Sequence, residues 1–210
     1  MDTILRYFPE LTEKQIQQLI SLQELYTYWN AQINVISRQD IDNLYLNHVL
    51  HSLSVGKLVS FEEKTTILDV GTGGGFPGIP LAILFPEANF HLIDSIGKKI
   101  KIAKTIAQEL GLSNVECTQI RAEQVNDEYD FIVSRAVTAL HVLYNWVWKR
   151  VAAKSFNSIN NGILYLKGGD INQEIKQLPR QAISYPINTW FEEEYFSEKY
   201  IVHIYNQDKK

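Results

Sequence analysis

Cysteine is almost missing from this 210-residue chain, with Cys117 standing alone. One thiol closes no internal disulfide, and no residues flank it at metal-ligand spacing. A disulfide-stapled scaffold and a cysteine-based zinc module are therefore excluded, and a reducing, cytoplasmic setting is expected. No apolar run approaches the ~20 residues of a membrane span, and no signal-peptide pattern is present. Basic charge is also short: 20 Lys and Arg face 24 Asp and Glu, for a net charge of −4 and a pI near 5.7. That balance excludes a protein held to nucleic acid by bulk electrostatics, and by itself points to a small-molecule substrate. Internal repeats, low-complexity tracts and long linkers are absent too. What remains is 45% hydrophobic and 21% charged residues, enough for one globular unit with a sizeable core.

Glycine is concentrated where it matters. Ile67-Leu68-Asp69-Val70 ends in Gly71, Gly73, Gly74 and Gly75, and an apolar segment resumes at Ile79. The pattern predicts a buried parallel strand, a tight loop and a helix. Glycines there permit φ > 0 and let a ligand approach the main chain, while the helix start offers unpaired N–H groups. Gly73 to Gly78 also reads as the dinucleotide fingerprint G-x-G-x-x-G, a weak signal when alone. Asp69, two residues before Gly71, argues against a pyrophosphate, which its charge would repel, and suits a ligand carrying a cation. The next strand, Phe90 to Ile93, ends in Asp94, where a carboxylate can accept both ribose hydroxyls. A nucleoside with a cation and no phosphate describes S-adenosyl-L-methionine.

Before the glycine loop, Thr12-Glu13-Lys14-Gln15 reads as a capping box. It opens a helix whose apolar face is Leu19, Leu22, Tyr26, Trp29 and Ile33. Asp40 is expected to cap a second helix carrying Leu44, His48 and Leu53. Residues 1–63 thus form an N-terminal helical cap on a domain spanning 64–210, the two making one compact unit. Beyond Thr66, strands are expected at Thr66–Val70, Phe90–Asp94, Val115–Ile120, Asp130–Ser134 and Ile163–Lys167. Helices fall near Gly78–Phe85, Gly97–Leu110, Ala139–Ala153 and Ile171–Leu178. Ala182–Pro186 and Tyr200–Tyr205, joined by a brief turn region, are read as an antiparallel hairpin. The expected fold is α/β with helices on both faces of a mostly parallel sheet.

The segments D-V-G-T-G-G-G-F-P-G-I-P-L-A-I, F-P-E-A-N-F-H-L-I-D-S-I-G-K-K and I-V-S-R-A closely resemble the RsmG family, also called glucose-inhibited division protein B. The resemblance runs from Trp29 through Gly168. It implies a class I, Rossmann-like methyltransferase fold with seven strands, and methylation of a guanine N7 in 16S ribosomal RNA from S-adenosylmethionine. It also implies that the positions of Gly71, Phe76, Ala122, Glu123 and Arg135 bind the cofactor. The family commonly places arginine before, and aspartate three residues after, the histidine that His48 matches. This chain has Asn47 and His51 there.

Ligands of open α/β sheets sit beyond the strands' carboxyl ends. Asp69 with Gly71, Gly73 and Gly75 would hold the methionine part, and Asp94 with Ser95 the ribose. Ala122 and Glu123 would read the adenine, with Phe76 packing on the cofactor. Arg135 faces the point where donor and acceptor meet and is the one candidate for a catalytic role. Guanine N7 has a free lone pair, so no general base is needed, and no His/carboxylate pair is found. Asn34, Arg38, Lys98, Lys99 and Lys167 are candidate RNA contacts. The partner is 16S rRNA or the small ribosomal subunit, the expected state is a monomer, and neither metal nor membrane is called for. A small-molecule methyltransferase, a nicotinamide-dependent dehydrogenase and a non-catalytic assembly factor are the competing readings. Asp69 and the absence of a Tyr-x-x-x-Lys pattern disfavour the dehydrogenase.

Overall fold

A computed structural model describes residues 1–33, 35–37 and 40–206. Strands β1 (Thr66–Val70), β2 (Asn89–Asp94), β3 (Val115–Gln119), β4 (Phe131–Arg135) and β5 (Gly162–Gly168) are parallel, while β6 (Ala182–Pro186) and β7 (Lys199–Tyr205) pair antiparallel. The seven strands form one sheet in the order β3-β2-β1-β4-β5-β7-β6. The order reverses between β1 and β4, so their carboxyl ends flank the crevice where open sheets hold ligands.

Alternation along the strands sends neighbouring side chains to opposite faces. Ile67, Phe90, Leu92, Phe131, Val133 and Leu164 join the core that contains α1 (Asp2–Tyr7), α2 (Glu13–Gln32) and α3 (Gly78–Leu84). The same core takes in Ile102, Ala103 and Ile106 of α4 (Gly97–Glu109). Leu68, Val70, Ile132 and Ile163 face the other layer, with Leu140, Leu143 and Val147 of α5 (Leu140–Val147) and Ile175 of α6 (Asn172–Lys176). Thr12 caps α2 with the reciprocal Gln15 bonds of a capping box, as its sequence predicts.

Three local expectations change. Asp40 does not cap a helix: its carboxylate accepts from Ser37 Oγ at 2.8 Å and Asn47 Nδ2 at 3.0 Å. The segment beyond it is a 3₁₀ turn (Ile41–Asn43), a π-helical stretch (Leu44–Leu50) and short α turns at His51–Leu53 and Val55–Leu58. A wider helical turn at such a point re-aims side chains, here those of Asn47, His48 and His51. α5 stops at Val147, because Val151 must bridge to Tyr129 beside the sheet. The link between β6 and β7 is no brief turn. It contains 3₁₀ turns at Ile187–Thr189 and Glu194–Phe196, and it buries Ile187, Phe191 and Phe196 in the first core. Tyr7 packs against Phe191 in a tilted arrangement with ring centres 4.7 Å apart, and Arg6 pairs with Glu192, tying α1 to this link.

Candidate functional site

A cleft of about 950 Å³ opens at the carboxyl ends of β1, β2, β4 and β5. Its floor is the glycine loop, shaped from behind by Asp69. That carboxylate is fully buried, and its Oδ2 accepts from Thr72 Oγ1 at 2.6 Å and from Gly78 N at 2.8 Å. Burial pushes its pKa up to about 7, against these two hydrogen bonds, which pull it down. Its Oδ1 has no partner among the described residues. A Cβ on Gly78 would lie 2.6 Å from Asp69 Oδ2, so glycine is needed for that helix start to reach the acid.

The glycines divide the work. Gly71, Gly73 and Gly75 all have positive φ. A side chain on Gly71 would strike Val137 at 2.4 Å, and one on Gly75 would strike Ile79 at 2.3 Å. Among the described residues nothing lies within 4 Å of a would-be Cβ on Gly73, which lines the cleft. The loop after β4 lies close over Gly71 because Tyr165 Oη accepts from Val137 N and Thr138 N and donates to Thr138 O. Tyr26 of α2 supports the other side: its buried hydroxyl donates to Gly74 O at 2.7 Å, and its ring packs 4.7 Å from that of Phe76.

At the tip of β2, Asp94 Oδ2 accepts from Gly73 N at 3.0 Å and Oδ1 from Ile96 N at 2.8 Å. Each carboxylate oxygen has further lone-pair capacity, so Asp94 can still accept from a diol. Ser95, Ile96, Ala122 and Glu123 line this flank, with Trp146 of α5. On the opposite flank stands Arg135. Its Nη1 donates to Asn47 O at 2.9 Å, its Nη2 to His48 Nδ1 at 2.7 Å, and its guanidinium lies 5.2 Å from the Phe76 ring centre. Among the described residues no carboxylate lies within salt-bridge distance of it. His48 is an acceptor because burial and Arg135 hold its pKa down at about 4, so the ring is neutral at pH 7.

Most of the expected site residues converge here. Gly71, Gly73, Phe76, Asp94, Ser95, Ala122, Glu123, Arg135, Lys99 and Lys167 all line the cleft. Asp69 and Gly75 do not: the acid is spent on the loop, and the glycine faces Ile79 and Tyr26. Lys98 also lies outside the lining, exposed on α4. Lys167 is already neutralised by Glu174 at 2.8 Å, which makes it a weaker phosphate ligand than its position suggests. Asn34 and Arg38 lie outside the described residues. Sequence reasoning missed Tyr195 and Lys199, which line the cleft from the β6–β7 link and from β7. Tyr195 Oη donates to Asn47 O at 3.1 Å, and Lys199 Nζ sits 5.0 Å from the Tyr195 ring centre. Lys199 also crosses Gly168, where a Cβ would meet its Nζ at 2.8 Å.

Comparison with known proteins agrees with this geometry. Residues 15–193 match the family described as GidB, rRNA small subunit methyltransferase G. The ribosomal RNA small subunit methyltransferase G of Cytophaga hutchinsonii is 54% identical over 97% of this chain and 99% of its own length. Its counterpart in Flavobacterium johnsoniae is 52% identical over 97% of both chains. The chain belongs to this family. Among solved structures, a SAM-dependent methyltransferase from Aquifex aeolicus superposes with a TM-score of 0.56 at 18% identity. That match covers 81% of this chain and all of the other, and it shows the shared fold.

The residues present fit S-adenosyl-L-methionine, the methyl donor of this family. A glycine backbone at Gly73, a carboxylate at the β2 tip and a guanidinium with no carboxylate partner among the described residues are the complements of a main-chain contact, a ribose and a carboxylate.

Proposed function

We propose that this family member methylates N7 of a guanine in 16S ribosomal RNA, acting as a cytoplasmic monomer on the small ribosomal subunit or its RNA. The observation that carries the reading is the pairing of Asp94 with Gly73 N at one flank and, at the other, Arg135 with no carboxylate partner among the described residues. Asp94 and Ser95 would hold the donor's ribose, Ala122 and Glu123 its adenine, and Arg135 its carboxylate. Asn47 O and His48 Nδ1 fix the guanidinium before anything binds, so little ordering is left for the moment of reaction.

When bound, the donor supplies an electrophilic methyl on a sulfonium; the N7 lone pair takes the methyl and the carbon–sulfur pair stays on sulfur. The protein is left with alignment and exclusion of water, and such positioning is worth roughly 7–11 kcal/mol at most. Among the described residues the cleft holds no hydrogen-bonded histidine–carboxylate pair, which fits that demand. His48 is neutral and engaged by Arg135, and His51 is buried, with burial holding its pKa well below the usual value. Guanine N7 is recessed in the deep major groove of A-form RNA, so the target is expected in a loop or extruded from its stack. Lys99, Arg121 and Lys199 at the cleft then meet flanking phosphates.

The test is nucleoside mass spectrometry of 16S rRNA from cells with and without the gene. Loss of one 7-methylguanosine, restored by the wild-type gene and not by Asp94→Ala, is expected. Unchanged 7-methylguanosine would overturn the assignment.

A further inference from the structure

Among the described residues three carboxylates line the cleft, and two of them, Asp94 and Glu123, belong to the flank built by β2 and the turn after β3. The third is Asp40, on the far flank with Asn47, His48 and Arg135. The sheet order places the glycine loop between these flanks, so a donor nucleoside on the β2 side leaves the Asp40 side to the acceptor base. Resting on the guanine reading above, we propose that Asp40 reads the Watson–Crick edge of the target guanine and stabilises the charge that methylation places on it.

The chemistry of the edge singles out guanine. Among the four RNA bases, guanine alone presents two adjacent donors there, N1–H and the N2 amino group, and a carboxylate is their bidentate acceptor. Asp40 is prepared for that role. Ser37 Oγ and Asn47 Nδ2 each donate to one of its oxygens, fixing the carboxylate plane, and among the described residues these bonds leave one lone-pair site on each oxygen. These same two bonds hold its pKa below the usual carboxylate range, so it stays ionised.

Catalysis follows from the electron balance. As N7 bonds to the methyl carbon and the carbon–sulfur pair leaves with sulfur, positive charge passes to the purine and no proton moves. N1–H and the N2 amino group become stronger donors, and their bonds to an anionic acceptor tighten in the transition state more than in the ground state. One carboxylate thereby supplies both base specificity and rate.

The experiment compares guanosine with inosine, which lacks the N2 amino group, at the methylated position of a reconstituted small subunit. Single-turnover rates are measured for wild type and Asp40→Asn, with calorimetric S-adenosylmethionine binding for both. Wild type should favour guanosine by about tenfold. In Asp40→Asn the guanosine rate should fall by about tenfold or more. Its preference should shrink to within about twofold of unity, and cofactor affinity should hold within about twofold. The preference is a ratio within one preparation, so partial unfolding cancels from it. A tenfold preference surviving in Asp40→Asn, or a wild type that methylates both nucleosides equally, overturns the role of Asp40 alone. A wild type that methylates no ribosomal RNA removes the guanine reading and this inference with it.

Discussion

At the scale of single residues, the glycine loop separates binding from stability. A methyl group on Gly73 would enter open space above the loop, at a φ of +58°. The left-handed backbone costs an L-residue about 1–2 kcal/mol. Gly73→Ala should therefore melt only a few degrees below wild type. It should lose S-adenosylmethionine affinity by about tenfold or more, because the new carbon occupies the ligand's approach. Gly75→Ala places its carbon 2.3 Å from Ile79 Cδ1 and 3.1 Å from Tyr26 Oη, against the core. Its larger loss should be in melting temperature. Calorimetry and thermal melts on both variants check the division, and equal effects in the two would mean that Gly73 serves only the fold. The motif in the sequence announces four glycines without saying which meets the ligand. That depends on Val137 and Ile79, brought in by the loop after β4 and by α3.

At the scale of elements, β1 to β5 and their helices were legible because period-two and period-3.6 apolar patterns fix them locally. The place of Asp94, Ala122 and Arg135 at the cleft was legible with them, since strand ends are where this sheet class presents its chemistry. Tyr195 and Lys199 were not. They reach the cleft through a link that folds back on α1 by burying Phe191 and Phe196, a long-range packing event with no local periodicity. Tyr26 was legible only in part. Its place on the apolar face of α2 was readable from spacing, whereas its bond to Gly74 O joins residues far apart in sequence. That bond makes α2 a support of the glycine loop. Tyr26→Phe keeps the ring against Phe76 and removes one buried hydrogen bond, worth about 1–2 kcal/mol. A lower melting temperature together with weaker cofactor binding is expected, and binding equal to wild type would show that α2 merely covers the sheet.

At the scale of the whole molecule, the helices before Thr66 and the sheet share one continuous core, from Ile4 and Phe8 through Tyr26 to Phe90 and Phe131. Stability is thus a property of the entire chain, and so is its dependence on pH. Burial lowers His48 and His203 to about 4 and His51 well below its usual 6.5. Between pH 6.5 and 4 the unfolded chain binds protons that the folded one refuses, so stability is lost as pH falls through that window. Asp69 acts in the opposite sense. Its pKa, raised to about 7, lets the fold hold a proton that the unfolded chain releases above pH 3.8, so acid favours the folded form at that site. Burial lowers His91 in the same direction, so four histidines outweigh one aspartate, and the melting temperature should drop on acidification from pH 6.5. His203 offers the cleanest probe, buried on β7 away from the cleft and donating from Nε2 to Asn160 O at 3.0 Å. Its share is of order 3 kcal/mol. His203→Gln should flatten the decline, and Asp69→Asn should steepen it by removing the opposing contribution. Denaturant unfolding at pH 4.5, 5.5 and 6.5 measures all three slopes. Parallel slopes for wild type and His203→Gln would mean that exposed carboxylates, not buried imidazoles, set the acid limit.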